Sequence, residues 1–275
     1  MPQPVAARLF RKHIAWPQEH GAWAFLLSPL LAGLIAGGKW QPATTWLVIG
    51  VLATFFLRQP IVIAVKVLVK RRSRRDLPAA LFWSGVYGLA GLIAAAQLVR
   101  LGAAYLLWLA APGVLVFAWH LRLVAHRAER RRMDVEVVAS GSLALSAAAA
   151  MWLAQGRITI DGILLWLLMW FQAAASIVYA YTRLEQRTWK ALPPMRERLR
   201  AGWRGLCYTT FNLVTVALLG LLGVLSPWLW LAYVIQWVET LWGTIRPAIH
   251  TKPTTIGIRQ FLVTTLFTIV FILTW

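Results

Sequence analysis

Acidic side chains are the scarce charge in this chain: nine Asp and Glu stand against 28 Lys and Arg. They form no aspartate-rich run, so a site in which clustered carboxylates hold a divalent metal is not written in the sequence. Cysteine is scarcer still. Cys207 stands alone, which excludes an intramolecular disulfide and a cysteine metal cluster. The sequence also has no His/Cys ligand cluster, no Gly-rich phosphate loop and no Ser/His/Asp spacing. No cofactor is therefore predicted. No A-x-A cleavage site follows the first apolar run, so the first span is expected to stay in the mature protein, behind an interfacial N-terminal segment over 1–16.

What the chain has in abundance is apolar length. Hydrophobic residues make up 60% of it, 17 of them Trp, and several runs approach the roughly 20 residues that cross a bilayer as helix. The runs are continuous rather than alternating, which excludes a transmembrane β-barrel. The fold class is therefore all-α, a polytopic membrane helical bundle forming a single domain. Nine spans are predicted, at 21–38, 44–66, 79–99, 103–121, 136–155, 160–182, 205–224, 227–246 and 258–275.

Charge then sets the orientation. If the N-terminus is cytoplasmic, the inner segments 1–20, 58–78, 120–136, 183–204 and 246–259 hold 25 of the 28 Lys and Arg. The outer turns hold Lys39, Arg100 and Arg157. This positive-inside asymmetry predicts a cytoplasmic N-terminus and accounts for the net charge of +19 without nucleic acid. Residues 183–204 are predicted to form an amphipathic cytoplasmic loop, with a short surface helix after Pro193-Pro194.

Polar groups inside the apolar runs are the candidate site residues. The second span carries Arg58, Gln59 and Pro60, and Lys66 two turns further on; a charge at that depth costs at least roughly 2.5 kcal/mol on insertion scales, which points to a function or a partner. Pro60 predicts a kink. Arg58 and Lys66 lie about 12 Å apart along the axis and within about 80° of one face. On the sixth span Gln172, Ser176, Tyr179 and Arg183 share a single helical face, which Arg187 extends. Two readings stand for this stripe: the wall of a water-accessible cavity, or hydrogen bonding between helices.

Glu239 lies inside the eighth span, and two readings stand for it: a structural pairing with Arg58 or Arg183 that compensates the buried charges and leaves no site, or a place in the site itself. At the mouth of the first span, Glu19 and His20 either cap and anchor the helix or handle a proton. Arg246, His250 and Lys252 add cations to the last inner loop. On the inner side cations outnumber acids, and an anionic ligand is the natural complement.

The strings WPQEHGAWAFLLSPLLAGL at the first span, RQP in the second and SIVYAYTRLEQR at the end of the sixth resemble the YwiC-like family of bacterial membrane proteins. More distantly, the nine spans, the long loops after spans two and six and the form of the first span resemble the UbiA-type intramembrane prenyltransferases. That resemblance implies aspartate-rich motifs at the cytoplasmic ends of spans two and six, holding magnesium on an isoprenyl diphosphate. Here those places carry Arg58-Gln59-Pro60 with Lys66, and Tyr179 with Arg183 and Glu185. The acids are missing, so Mg2+ is not expected.

The leading expectation is a UbiA-like bundle in a bacterial inner membrane whose cytoplasm-facing cavity binds an amphipathic anion, a lipid or prenyl phosphate. Arg58, Lys66 and Arg183 would hold the phosphate and Tyr179 would hydrogen-bond it. Any transferase reaction would draw its proton carrier from Glu19, His20 and Glu239. Two other classes stay open: a non-catalytic subunit or assembly factor with a membrane-protein partner, and a small-anion transporter. Membrane lipids are partners in every case.

Overall fold

The computed structural model describes residues 9–17, 20–129 and 132–275. Among the described residues there is no strand, and nine longer helices follow one another: α1 (His20–Gly37), α2 (Pro42–Leu68), α3 (Leu77–Arg100), α4 (Ala110–Ala125), α5 (Met133–Gln155), α6 (Ile160–Gln186), α7 (Met195–Leu221), α8 (Trp230–Ile245) and α9 (Pro253–Thr274). Each lies over one of the apolar runs. Seven described stretches are long and apolar enough to cross a membrane, while α1 is shorter and α8 has only 16 residues. The chain is a multi-pass helical membrane protein.

Proline starts three of these helices. Pro42, Pro78 and Pro253 lie in the first turns of α2, α3 and α9, where the missing N–H would have had no intrahelical partner anyway. Inside α2, Pro60 is buried and the helix runs unbroken through it, so the expected kink does not divide the span. At its far end α5 stops on Gly156, whose φ of 69° is a left-handed conformation that costs glycine little. The separate surface helix expected after Pro194 does not form; α7 begins at Met195 and continues into the membrane as one helix of 27 residues.

Burial places α5 and α6 at the centre: 67% and 61% of their apolar windows are buried, against 17% for α3 and 6% for α4. α1 packs on α5, while α7, α8 and α9 surround α6. The α2–α3 hairpin and α4 form the lipid-facing outer side. In lipid, helices associate by close contact rather than by a hydrophobic drive. Small residues therefore mark the seams: a Cβ on Gly33 would meet the backbone of Ala147, and Gly141 and Gly162 lie against Trp170 and Trp152.

Indole N–H groups complete the α5–α6 seam. Trp166 donates to the carbonyl of Gly141 at 2.9 Å, Trp170 to that of Val137 at 2.8 Å, and Trp152 to that of Thr159 at 2.8 Å. These tryptophans pack and satisfy a polar group at once.

At one end, the N-terminal segment is fixed to the α2–α3 hairpin rather than only lying on a surface. Ile14 is fully buried beside Ile63, Ala79 and Ala80. Side chains hold the segment's carbonyls: Trp83 on Leu9 at 3.0 Å, Tyr87 on Ala15 at 2.9 Å and Gln59 on His13 at 3.3 Å. Arg11 and Arg72 share Asp76. Arg71 ties the same turn to the end of α4, through the Val124 carbonyl and a two-point contact with Glu129 at 2.7 and 3.2 Å.

Two expectations follow. Gly33→Val should separate α1 from α5 and cost roughly 1–3 kcal/mol, read as a lowered unfolding midpoint in detergent. The second concerns Glu129, whose carboxyl is held below its ordinary range by the Arg71 hydrogen bond. Stability from this pair is fully present above the carboxyl's unfolded pKa and is lost as pH falls through the lower folded value. Arg71→Gln should therefore lower the midpoint at about pH 7, and the gap to wild type should close below about pH 4.

Candidate functional site

The polar stripe of α6 meets matching stripes on two neighbouring helices. Gln172 donates to the Gln236 side-chain Oε1 of α8 at 3.2 Å, and Gln260 of α9 donates to the same atom at 2.8 Å and to Ser176 Oγ at 2.7 Å. One turn on, the Tyr179 hydroxyl donates to Glu239 Oε1 at 2.7 Å. The i, i+4, i+7, i+11 spacing of α6 is thus used residue by residue. Gly243 makes the tyrosine's approach possible, because a Cβ there would overlap the Tyr179 ring.

Glu239 pairs with a residue that sequence reasoning had counted as loop charge. Arg259 of α9 grips it with two hydrogen bonds, Nε to Oε1 at 2.7 Å and Nη2 to Oε2 at 2.8 Å. The expected pairing with Arg58 or Arg183 is corrected accordingly. Arg183 instead turns to the C-terminus of α8: its Nη1 donates to the carbonyls of Gly243 at 2.8 Å and Arg246 at 2.7 Å and to the Gln186 amide oxygen at 2.9 Å. Those carbonyls are the orphan acceptors of a helix end, where a cation also meets the negative pole of the dipole. The guanidinium lies 5.8 Å from the Tyr179 ring centre. Arg187 is nearby through its backbone, its carbonyl accepting from the His250 N–H at 3.4 Å.

Between the ends of α6, α8 and α9 these groups line a cavity of about 130 Å³, with Tyr179, Arg183, Glu239, Arg259 and Gln260, Thr251 of the α8–α9 turn and Thr255 in the first turn of α9 on its wall. Two guanidiniums face one carboxylate. Gln260 is 9% exposed, and its buried Oε1 has no hydrogen-bond partner.

The other sequence candidates sit elsewhere. Gln59 serves the N-terminal segment, and Lys66 acts electrostatically on Glu129. Arg58 is half-buried on α2, a helix that packs on α3, α4, α5 and the N-terminal helix, whereas Tyr179 and Arg183 bond toward α8. Glu19 lies outside the described residues, as does the side chain of His20. Arg259, Gln260 and Gln186 were missed. A signal for Gln260 existed: Gln260, Thr264 and Thr268 repeat every four residues along α9, and Thr268 reaches Ser28 of α1 at 2.6 Å.

The donor set does not suit magnesium. Among the described residues no three His, Cys, Asp or Glu side chains cluster, and the acid in this cavity is already held by arginine and tyrosine.

Residues 16–151 match the YwiC-like protein family. No curated protein matches the chain in sequence. Among solved structures, one reported for digeranylgeranylglyceryl phosphate synthase in membranes superimposes with a TM-score of 0.54 at 10% identity, covering 93% of this chain and 99% of that one. At that identity the likeness is one of fold, an all-helical membrane bundle of similar extent.

Removing Arg259 leaves the buried Glu239 with the Tyr179 hydroxyl as its remaining hydrogen-bond partner. Arg259→Gln and Glu239→Gln should each destabilise the protein, and the double variant should cost less than the two single losses combined. The cycle should show coupling on the order of 1–2 kcal/mol, measured by unfolding in detergent. Additive losses would mean that the bidentate pair contributes little.

Proposed function

We propose that this is a UbiA-like protein of the bacterial cytoplasmic membrane that binds an amphipathic anion, a lipid or prenyl phosphate, with its headgroup in the α6/α8/α9 cavity. The observation that carries this reading is the charge of the lining: Arg183 and Arg259 converge there with Glu239 as the one acid. Phosphate oxygens complement guanidinium forks. The α8 C-terminus takes part of the Arg183 charge, and what remains is still cationic.

Size and surroundings support a headgroup rather than a whole ligand. About 130 Å³ is several times the roughly 30 Å³ that a water occupies, yet too small for a long chain. Beside the cavity, α9 turns Ile258, Phe261 and Leu262 outward, each at least 45% exposed, an apolar flank along which an acyl or prenyl chain lies in lipid. Thr251 and Thr255 supply hydroxyls at the mouth. Arg58 and Lys66 take no part in this version of the site; Arg183 and Tyr179 keep the roles expected of them, and Arg259 joins them. With the N-terminus cytoplasmic, the α8–α9 turn and the cavity face the inner leaflet.

Native mass spectrometry of the purified protein tests this. Phosphatidylglycerol and a prenyl monophosphate should bind, phosphatidylcholine should not compete, and Arg259→Gln should weaken binding at least about tenfold. Thr255→Trp, which fills the mouth and spares the charged groups, should do the same. Protein that takes up neither phosphate would overturn the reading.

A further inference from the structure

The Glu239–Arg259 pair sits where an incoming anion would have to act. Glu239 is 8% exposed, held by Tyr179 and by both ends of the Arg259 fork. The Arg259 side chain is 46% exposed, so one member of the pair is buried and the other opens to the cavity. An anion that enters meets Arg259 as its most accessible cation, and it brings a second negative charge to within a few ångströms of a carboxylate in the membrane. Two such charges cannot share one guanidinium at no cost.

We infer that occupancy of this cavity is coupled to protonation of Glu239: the anion takes over part of the Arg259 fork, and one proton binds to the carboxylate as the anion binds. The inference rests on the phosphate reading above. The groups that face Glu239 are Tyr179 and Arg183 from α6 and Arg259 from α9. α7, which also packs on α8, presents Gly202 and Gly205 to Thr244 and Thr240, and its Arg198 donates to the Ile245 carbonyl at the end of α8. Once Arg259 turns toward the anion, the carboxylate keeps the Tyr179 hydroxyl as its remaining hydrogen-bond donor. The proton keeps the net charge of the filled cavity close to that of the empty one, which matters most where water is scarce. By reciprocity, anion affinity falls as pH rises, by at most about tenfold per pH unit.

The test uses short-chain phosphatidylglycerol, a diester whose own charge does not change near neutral pH, titrated calorimetrically into the full-length protein in two buffers of different ionisation enthalpy. About one proton should be taken up per lipid at about pH 7, and Glu239→Gln should bind with no uptake and no pH dependence. Binding without uptake in the wild type, or uptake that persists in Glu239→Gln, overturns the coupling and leaves the phosphate reading standing. Absence of binding in the wild type overturns both. Should Glu239→Gln fail to bind, the wild type decides: an affinity that does not change between about pH 6 and pH 8 overturns the coupling.

Discussion

Inside a bilayer a polar side chain has no water to turn to, so every such group must meet another one within the protein. In this chain that constraint fixes how three helices lie together. Gln172, Ser176, Tyr179 and Arg183 on α6 take partners one turn apart on α8 and α9, and sliding any of the three helices by one turn would break the set together. Each hydrogen bond between membrane helices contributes only about 0.6 kcal/mol on average. Their value here lies in register: a shift by one turn would leave several polar groups in hydrocarbon, at a cost of several kcal/mol each.

Close packing makes that register reachable. Tyr179 reaches Glu239 because residue 243 has no side chain, and α7 approaches α8 at Gly202 for the same reason. A helix as short as α8 then needs its final carbonyls satisfied from outside. Arg183, Gln186 and Arg198 all donate to them. Elsewhere the same economy of partners recurs, with indole N–H groups on backbone carbonyls along α5 and α6 and an arginine on the end of α4.

The fold was legible because its signals are local in the sequence. Each continuous apolar run lies over one helix, although α7 begins ten residues before its run and α4 seven residues after, and the 3.6-residue period placed Gln172, Ser176, Tyr179 and Arg183 on one face. Partners were not legible, since pairing depends on which helices become neighbours. Glu239 stands out as a buried acid in need of a cation, yet Arg259, only 20 positions away, falls where the ninth apolar run, 258–275, overlaps the inner segment, 246–259, and reads there as topogenic charge. Arg58 and Lys66 were grouped with Arg183 on the strength of a family pattern. Their helix faces the N-terminal segment and α4, and no periodicity within one helix reports that.

The same geometry explains how cations can stand where a related architecture is expected to keep acids. An arginine at the end of α6 is tolerated because α8 stops beside it and offers carbonyls and a dipole of the right sign. Lys66 is tolerated near the end of α2 because Glu129 lies within its field. Both charges are therefore compensated by groups that the fold supplies. Arg259 differs. Its compensation is a single buried carboxylate, reached from a side chain that is half open to a cavity, so a second acceptor can compete for it without unfolding anything.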